Sequence, residues 1–114
     1  MKASDLRIGN LVYFETDRGK ILLPVETIRK DKISSGFEVS YYDDEKTSYI
    51  PLTEEWLLKF GFKINGNTMK INILGINGSF FFEHELGISQ ISYVHQLQNL
   101  YWILTGEELT IKNP

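Results

Sequence analysis

The chain has 114 residues, 42% hydrophobic and 24% charged, a balance that suits one ordinary globular domain with a real core. A net charge of −3, spread evenly along the chain, offers no long-range attraction to a polyanion. The absence of cysteine excludes disulfides, thiolate zinc sites and thiol catalysis together.

From Asp5 to about Leu52 the pattern is of short strands separated by turn chemistry. LRIGNLVYFE places Gly9-Asn10 ahead of an apolar run, Leu11 to Phe14. TDRGK follows as a turn, with Gly19 where a positive φ is tolerated. ILLPVETIR reads as a second strand, in which Pro24 lacks an amide donor and belongs at an edge or a bulge. GFEVSYY alternates, with Phe37, Val39 and Tyr41 on one face and Glu38, Ser40 and Tyr42 on the other. DDEKTS is a charged turn and YIPL a short last strand. This half, residues 5–52, predicts a small curled antiparallel sheet of SH3-like size.

The second half, residues 53–114, opens with TEEWLLKFGF. Thr53 is placed to cap a short helix, Glu54 and Glu55 complement its positive end, and Glu55 and Lys59 stand four apart in the favourable order. Trp56, Leu57, Leu58 and Phe60 are its apolar side, and Gly61 can take the left-handed cap with Phe62 folding back on Leu57. Asn65-Gly66 and Asn77-Gly78 both read as two-residue hairpin turns. Folding about the second pairs Leu74 with Phe81, Ile73 with Phe82, Asn72 with Glu83, Ile71 with His84 and Lys70 with Glu85. One face then carries Met69, Ile71, Ile73, Phe80, Phe82 and Leu86, while the charge pairs fall on the other. The expectation is a three-stranded meander, a longer helix from Tyr93 to Gly106, and a tail, EELTIK, as a last strand. The whole is α+β within a single domain.

Candidate chemistry is sparse. HELGI, His84 to Ile88, starts like a zinc-protease helix, but its fourth-on ligand position is Ile88 and the stretch has a strand pattern. Glu83 and Glu85 lie roughly 7 Å apart on one strand face, with Lys70 and Asn72 as expected partners. No serine stands in a nucleophile elbow, and GINGS is a hairpin turn, not a phosphate loop. No catalytic constellation, cofactor site or metal site is recognisable, so the sequence predicts a non-enzymatic protein. The N-terminus is polar where a signal peptide needs an apolar segment, and no apolar run approaches the ~20 residues of a membrane helix. A cytoplasmic location without membrane contact is the expectation.

Two binding surfaces remain. Arg29, Lys30 and Lys32, with Tyr42 and its neighbours, can be read as a weak single-strand nucleic-acid site: bases stack on tyrosine while lysines hold phosphates. The nearby Asp43 to Glu45 and the acidic balance make its charge supply thin. The second surface is on YVHQLQNLYWILTGEEL. At 100° per residue Tyr93, Val94, Leu97, Leu100, Tyr101 and Leu104 form the core stripe. His95, Asn99, Trp102 and Ile103 lie opposite, and no charged side chain occurs from Tyr93 to Thr105. Such a face is covered either by the same chain or by another protein, with Trp102 as an anchor.

IPLTEEWLLKFGF, YVHQLQNLYWILTGEELTIK and the opening LRIGNLVYF, a little over a third of the chain, resemble a family of short uncharacterised proteins. That family occurs in Bacteroides-type bacteria and their phage-like mobile elements. The resemblance implies a phage or mobile-element setting and an accessory factor acting by contact, and it assigns a role to no residue. The leading expectation is a protein-interaction module, self-association included.

Overall fold

The computed structural model describes residues 6–29, 32–36, 38–41, 47–68 and 71–112. The architecture is α+β, in two compact units, Met1–Ile50 and Pro51–Pro114. The boundary falls two residues before the Leu52/Thr53 division read from the sequence.

In the first unit β1 (Leu11–Thr16) is central, between β2 (Gly19–Pro24) and β6 (Thr47–Ser48), all antiparallel. The β1–β2 turn closes Thr16 onto Gly19, with Gly19 at φ 97° and the Thr16 hydroxyl donating to the Gly19 carbonyl at 2.8 Å. Pro24 sits at the end of β2, an edge strand, where a missing amide costs nothing. A second sheet joins β3 (Thr27–Ile28), β4 (Lys32–Ser35) and β5 (Glu38–Tyr41). ILLPVETIR is therefore two strands, not one. The reason is local: the Val25 amide turns back to the Asn10 carbonyl at 2.8 Å, while the Glu26 amide reaches Ser34 at 2.9 Å. The chain changes sheets between those two residues, and no closed barrel forms among the described residues. Val12 and Phe14 of β1 and Ile33 of β4 supply one core with Leu6 and Val25. The alternation of β1 thus does what a half-buried strand requires. Two polar groups complete this unit: the buried Asn10 side chain accepts from the Arg7 amide at 2.6 Å, and the Glu26 carboxylate accepts from the Ser35 hydroxyl and the Gly36 amide.

In the second unit α1 (Glu54–Phe60) has the ends its sequence specifies. The Trp56 amide donates to Thr53 Oγ1 at 3.3 Å, and Gly61, at φ 88°, takes the left-handed cap. The Phe62 amide returns to the Leu57 carbonyl at 2.9 Å, and Lys59 reaches Glu55 at 3.5 Å. Trp56, Leu57 and Phe60 are buried, whereas Leu58 is exposed. In a seven-residue helix the apolar set covers more than one side, and a single face meets the core.

The sheet of this unit has four strands: β10 (Gly87–Ile91), β9 (Ser79–His84), β8 (Ile71–Ile76) and β7 (Gly66–Thr68), in that spatial order. The expected meander had three. Asn77-Gly78 forms the predicted two-residue turn, with φ 51° and 81°, the double positive of a type I′ hairpin. Its register places Leu74 on Phe81 and Ile73 on Phe82, as expected. Asn72 Nδ2 reaches Glu83 Oε1 at 3.0 Å. Lys70, the expected partner of Glu85, and Met69 lie outside the described residues. Asn65-Gly66, by contrast, is not a hairpin turn, because Gly66 already pairs with Ile73 in the β7–β8 ladder. Asn65, at φ 59°, instead lays the chain against β8: its amide donates to the Ile73 carbonyl at 2.6 Å and its Oδ1 accepts from the Gly75 amide at 3.0 Å. Leu86, assigned to the core face from the sequence, is 95% exposed, because Glu85 and Leu86 form the tip of the β9–β10 turn. EELTIK is no strand; Leu109 is buried and the Lys112 amide donates to the Lys59 carbonyl at 2.7 Å.

Gly75 explains itself by packing. An ideal Cβ there would lie 2.9 Å from Ile64 Cγ2, against ordinary van der Waals contact of 3.4–4 Å. Gly75→Ala is expected to destabilise by about 1 kcal/mol, the overpacking outweighing the entropy that alanine saves in the unfolded chain. In an Ile64→Ala background the same substitution should be neutral or stabilising. Urea unfolding of the four-member cycle measures this coupling, and an equal cost in both backgrounds would show that the contact is not responsible.

Candidate functional site

α2 (Val94–Thr105) follows a bridge between Pro51 and Tyr93 and a Leu52 amide to Ser92 carbonyl bond of 2.9 Å. Tyr93 is the residue before the first turn, extended at φ −132° and ψ 153°. It lacks a short side-chain acceptor, and Gln96 takes over part of the capping: its Oε1 accepts from the Tyr93 amide at 3.1 Å and the Ser92 amide at 2.8 Å. The helix ends at Gly106, φ 73°, whose amide donates to the Trp102 carbonyl at 2.8 Å. The Thr105 hydroxyl donates to Tyr101 one turn back, at 2.7 Å.

The four side chains singled out on this helix do not share one environment. His95 is buried, with its ring stacked at 5.8 Å on Tyr93, and Asn99 is half-buried. Trp102 is 44% exposed and Ile103 76%. The buried stripe is Val94, His95, Leu97, Gln98 and Tyr101. Against the leucine stripe read from the sequence, it is rotated by roughly 70° at 100° per residue, toward His95 and Gln98. Leu104, assigned to the core, is 46% exposed, and Leu100 is half-buried. Counting apolar residues overweights leucine here: the His95 ring is buried by stacking on Tyr93 although its Nδ1 has no hydrogen-bond partner among the described residues, and Gln98 keeps a partner inside the core.

Trp102, Ile103 and Leu104 are consecutive, so their side chains span roughly 200° of the helix circumference. The last turn of α2 is therefore exposed around most of its girth, with Tyr101 closing the remainder. No acidic side chain lies in its first turn and no basic one in its last. An uncharged helix end with a large aromatic and two aliphatic side chains in water is chemically suited to burying apolar surface against another protein.

The other expected site is only partly placed. Arg29 is exposed and Lys32 half-buried, joined across the β3–β4 turn by the Arg29 amide to Lys32 carbonyl bond of 2.8 Å. Lys30 and Tyr42 lie outside the described residues. Tyr49, a further tyrosine of this half, is half-buried and packs against the core of the first unit.

One pair that the sequence did not link is His84 and Ser89, whose Nε2 and Oγ stand 2.8 Å apart across the β9–β10 turn. It has the spacing of a base and a nucleophile, but the tautomer runs the wrong way. His84 Nδ1 accepts from the Leu86 amide at 3.3 Å, so the neutral ring carries its proton on Nε2 and donates to the serine. The pair braces the turn, with Phe82 at 5.4 Å from the imidazole. Among the described residues no group of three or more His, Asp or Glu side chains is arranged to hold a metal ion. Among them also, no helix is long and apolar enough to cross a membrane. No protein-family model, curated protein or solved structure matches the chain.

Proposed function

We propose that this protein is a small non-enzymatic interaction module that docks another protein on the last turn of α2. The observation that carries the reading is the exposed Trp102, Ile103 and Leu104 run on a helix without charge. Trp102 is the anchor, Ile103 and Leu104 flank it, and Asn99 supplies a polar contact at the rim. His95 belongs to the buried side and acts by holding the helix in place. An accessory role acting by contact fits the phage or mobile-element setting that the sequence resemblance implies, in the cytoplasm. In this reading the first unit is a small β module of SH3-like size. Its alternative use is as a weak single-strand nucleic-acid binder through Arg29, Lys30, Lys32 and Tyr42, and the support for it is the bond from the Arg29 amide to the Lys32 carbonyl.

The test is retention of partners by the full chain and by Ile103→Glu, a change at a 76% exposed position, with circular dichroism as the check that the fold is kept. The expected result is a protein partner whose affinity falls at least tenfold in Ile103→Glu and in Trp102→Ala. Identical partners and affinities for all three proteins would overturn the reading. Retention on single-stranded DNA that weakens steeply with salt would favour the alternative.

A further inference from the structure

Every open sheet has two edges, and proteins guard theirs with short strands, charge or proline. Among the described residues, the sheet edges obey that rule with one exception. β3 and β6 have two residues each and β7 three; β5 carries Glu38; β2 has six residues but includes Lys20 and Pro24. β10, Gly87-Ile88-Ser89-Gln90-Ile91, has five residues, no charge and no proline. Its one strand neighbour among the described residues is β9, and its first four residues are exposed.

We propose that β10 is a self-pairing edge, joining two copies of this chain antiparallel about a two-fold axis at Ser89. The occupant is a second copy for three reasons. Ser89 is the midpoint of the strand, so an axis there pairs Ser89 with its own copy and Ile88 with Gln90 on both sides, all of them exposed, while Ile91 at the end of the strand is buried. A neutral strand placed against itself sets no like charges opposite each other, which a charged edge cannot avoid in an isologous contact. The face also continues: Leu74 opposes Phe81, and Phe81 opposes Gln90, so Ile88 of the second copy lands at the end of that row. Leu74 and Phe81 are half-buried and Ile88 is 49% exposed, so pairing removes apolar surface from water on that face. Two four-stranded sheets become one of eight. A five-residue strand pair is a small interface, below the ~1,200 Å² of stable complexes, and the dimer is correspondingly weak. This surface shares no residue with the last turn of α2.

Sedimentation equilibrium of the full chain from about 10 µM to 1 mM tests the pairing. The wild type is expected to show a monomer–dimer equilibrium. Ser89→Lys and Ser89→Glu, each placing like charges on the axis, are expected to be monomers alone and to dimerise when mixed. The chain has no cysteine, so Ser89→Cys gives an unambiguous cross-link. Its disulfide dimer should form at least tenfold faster than that of Ile103→Cys, a 76% exposed site outside β10. Ile88→Lys provides a second disruption, one that keeps the His84–Ser89 bond. A wild type that is strictly monomeric at 1 mM overturns the proposal, and so does a dimer that survives Ser89→Lys. A dimer lost in Ile103→Glu and kept in Ser89→Lys assigns self-association to α2 instead, supporting the docking reading while removing this one.

Discussion

Phe60→Ala is expected to lower the stability of the second unit by about 3–5 kcal/mol, the range for deleting a fully buried phenylalanine. Phe60 has no solvent exposure and lies 5.7 Å from the Trp56 ring. α1, with seven residues, is far below the length at which a helix persists in water by itself. Its caps contribute about 1 kcal/mol each and its exposed Glu55–Lys59 pair less, so packing carries the helix. Removing the ring takes away both the transferred apolar area and the contacts of its neighbours, leaving a cavity that a short capped helix cannot close. Urea unfolding followed by tryptophan fluorescence measures the loss, with the slope against denaturant unchanged. Phe60→Leu, expected to cost less, keeps the measurement possible if the alanine variant is already unfolded. Leu58→Ala on the same helix is the control: its side chain is exposed, and the change should stay within about 0.5 kcal/mol. Equal effects at the two positions would contradict the burial pattern.

Phe14→Ala is expected to cost the first unit a similar ~3–5 kcal/mol. The side chain is buried on the central strand of its sheet, with Ile21 on one side in register and Thr47 on the other. It shares a core with Leu6, Val12, Val25 and Ile33, a small set in which no neighbour is large enough to fill the space. Both tryptophans belong to the second unit, so fluorescence is the wrong probe. Amide hydrogen exchange of Leu11–Thr16 and Lys32–Ser35 reports this core directly. Protection there should fall by two orders of magnitude or more, as about 3 kcal/mol requires. Protection lost only beyond these strands would place the core elsewhere.

What could be read ahead of the structure was the chemistry that acts within a few residues. The Thr53 and Gly61 caps, the Gly19 turn, the edge position of Pro24 and the Asn77-Gly78 hairpin each depend on one backbone conformation or one hydrogen bond. Residue type decides those locally. The same local logic misled at Asn65-Gly66. An Asn-Gly pair announces positive φ, but whether that φ closes a hairpin or lays the chain along a neighbour depends on β8. The candidate helix face was legible as uncharged and aromatic. Its division into a buried His95 and an exposed Trp102 and Ile103 was not, because a count of apolar spacing cannot locate the surface that α2 meets.

By itself, then, the sequence determined an α+β chain with a β-rich first half, a capped short helix, a type I′ hairpin and a C-terminal helix ending at Gly106. The tertiary structure alone decided where the chain changes sheets at Val25–Glu26 and that Gly87–Ile91 forms a fourth strand. It also decided which side of α2 is buried. The physical reason is common to all three. Turns and caps are satisfied by neighbours in sequence, whereas burial and strand pairing are satisfied by groups distant along the chain, which only folding brings within reach.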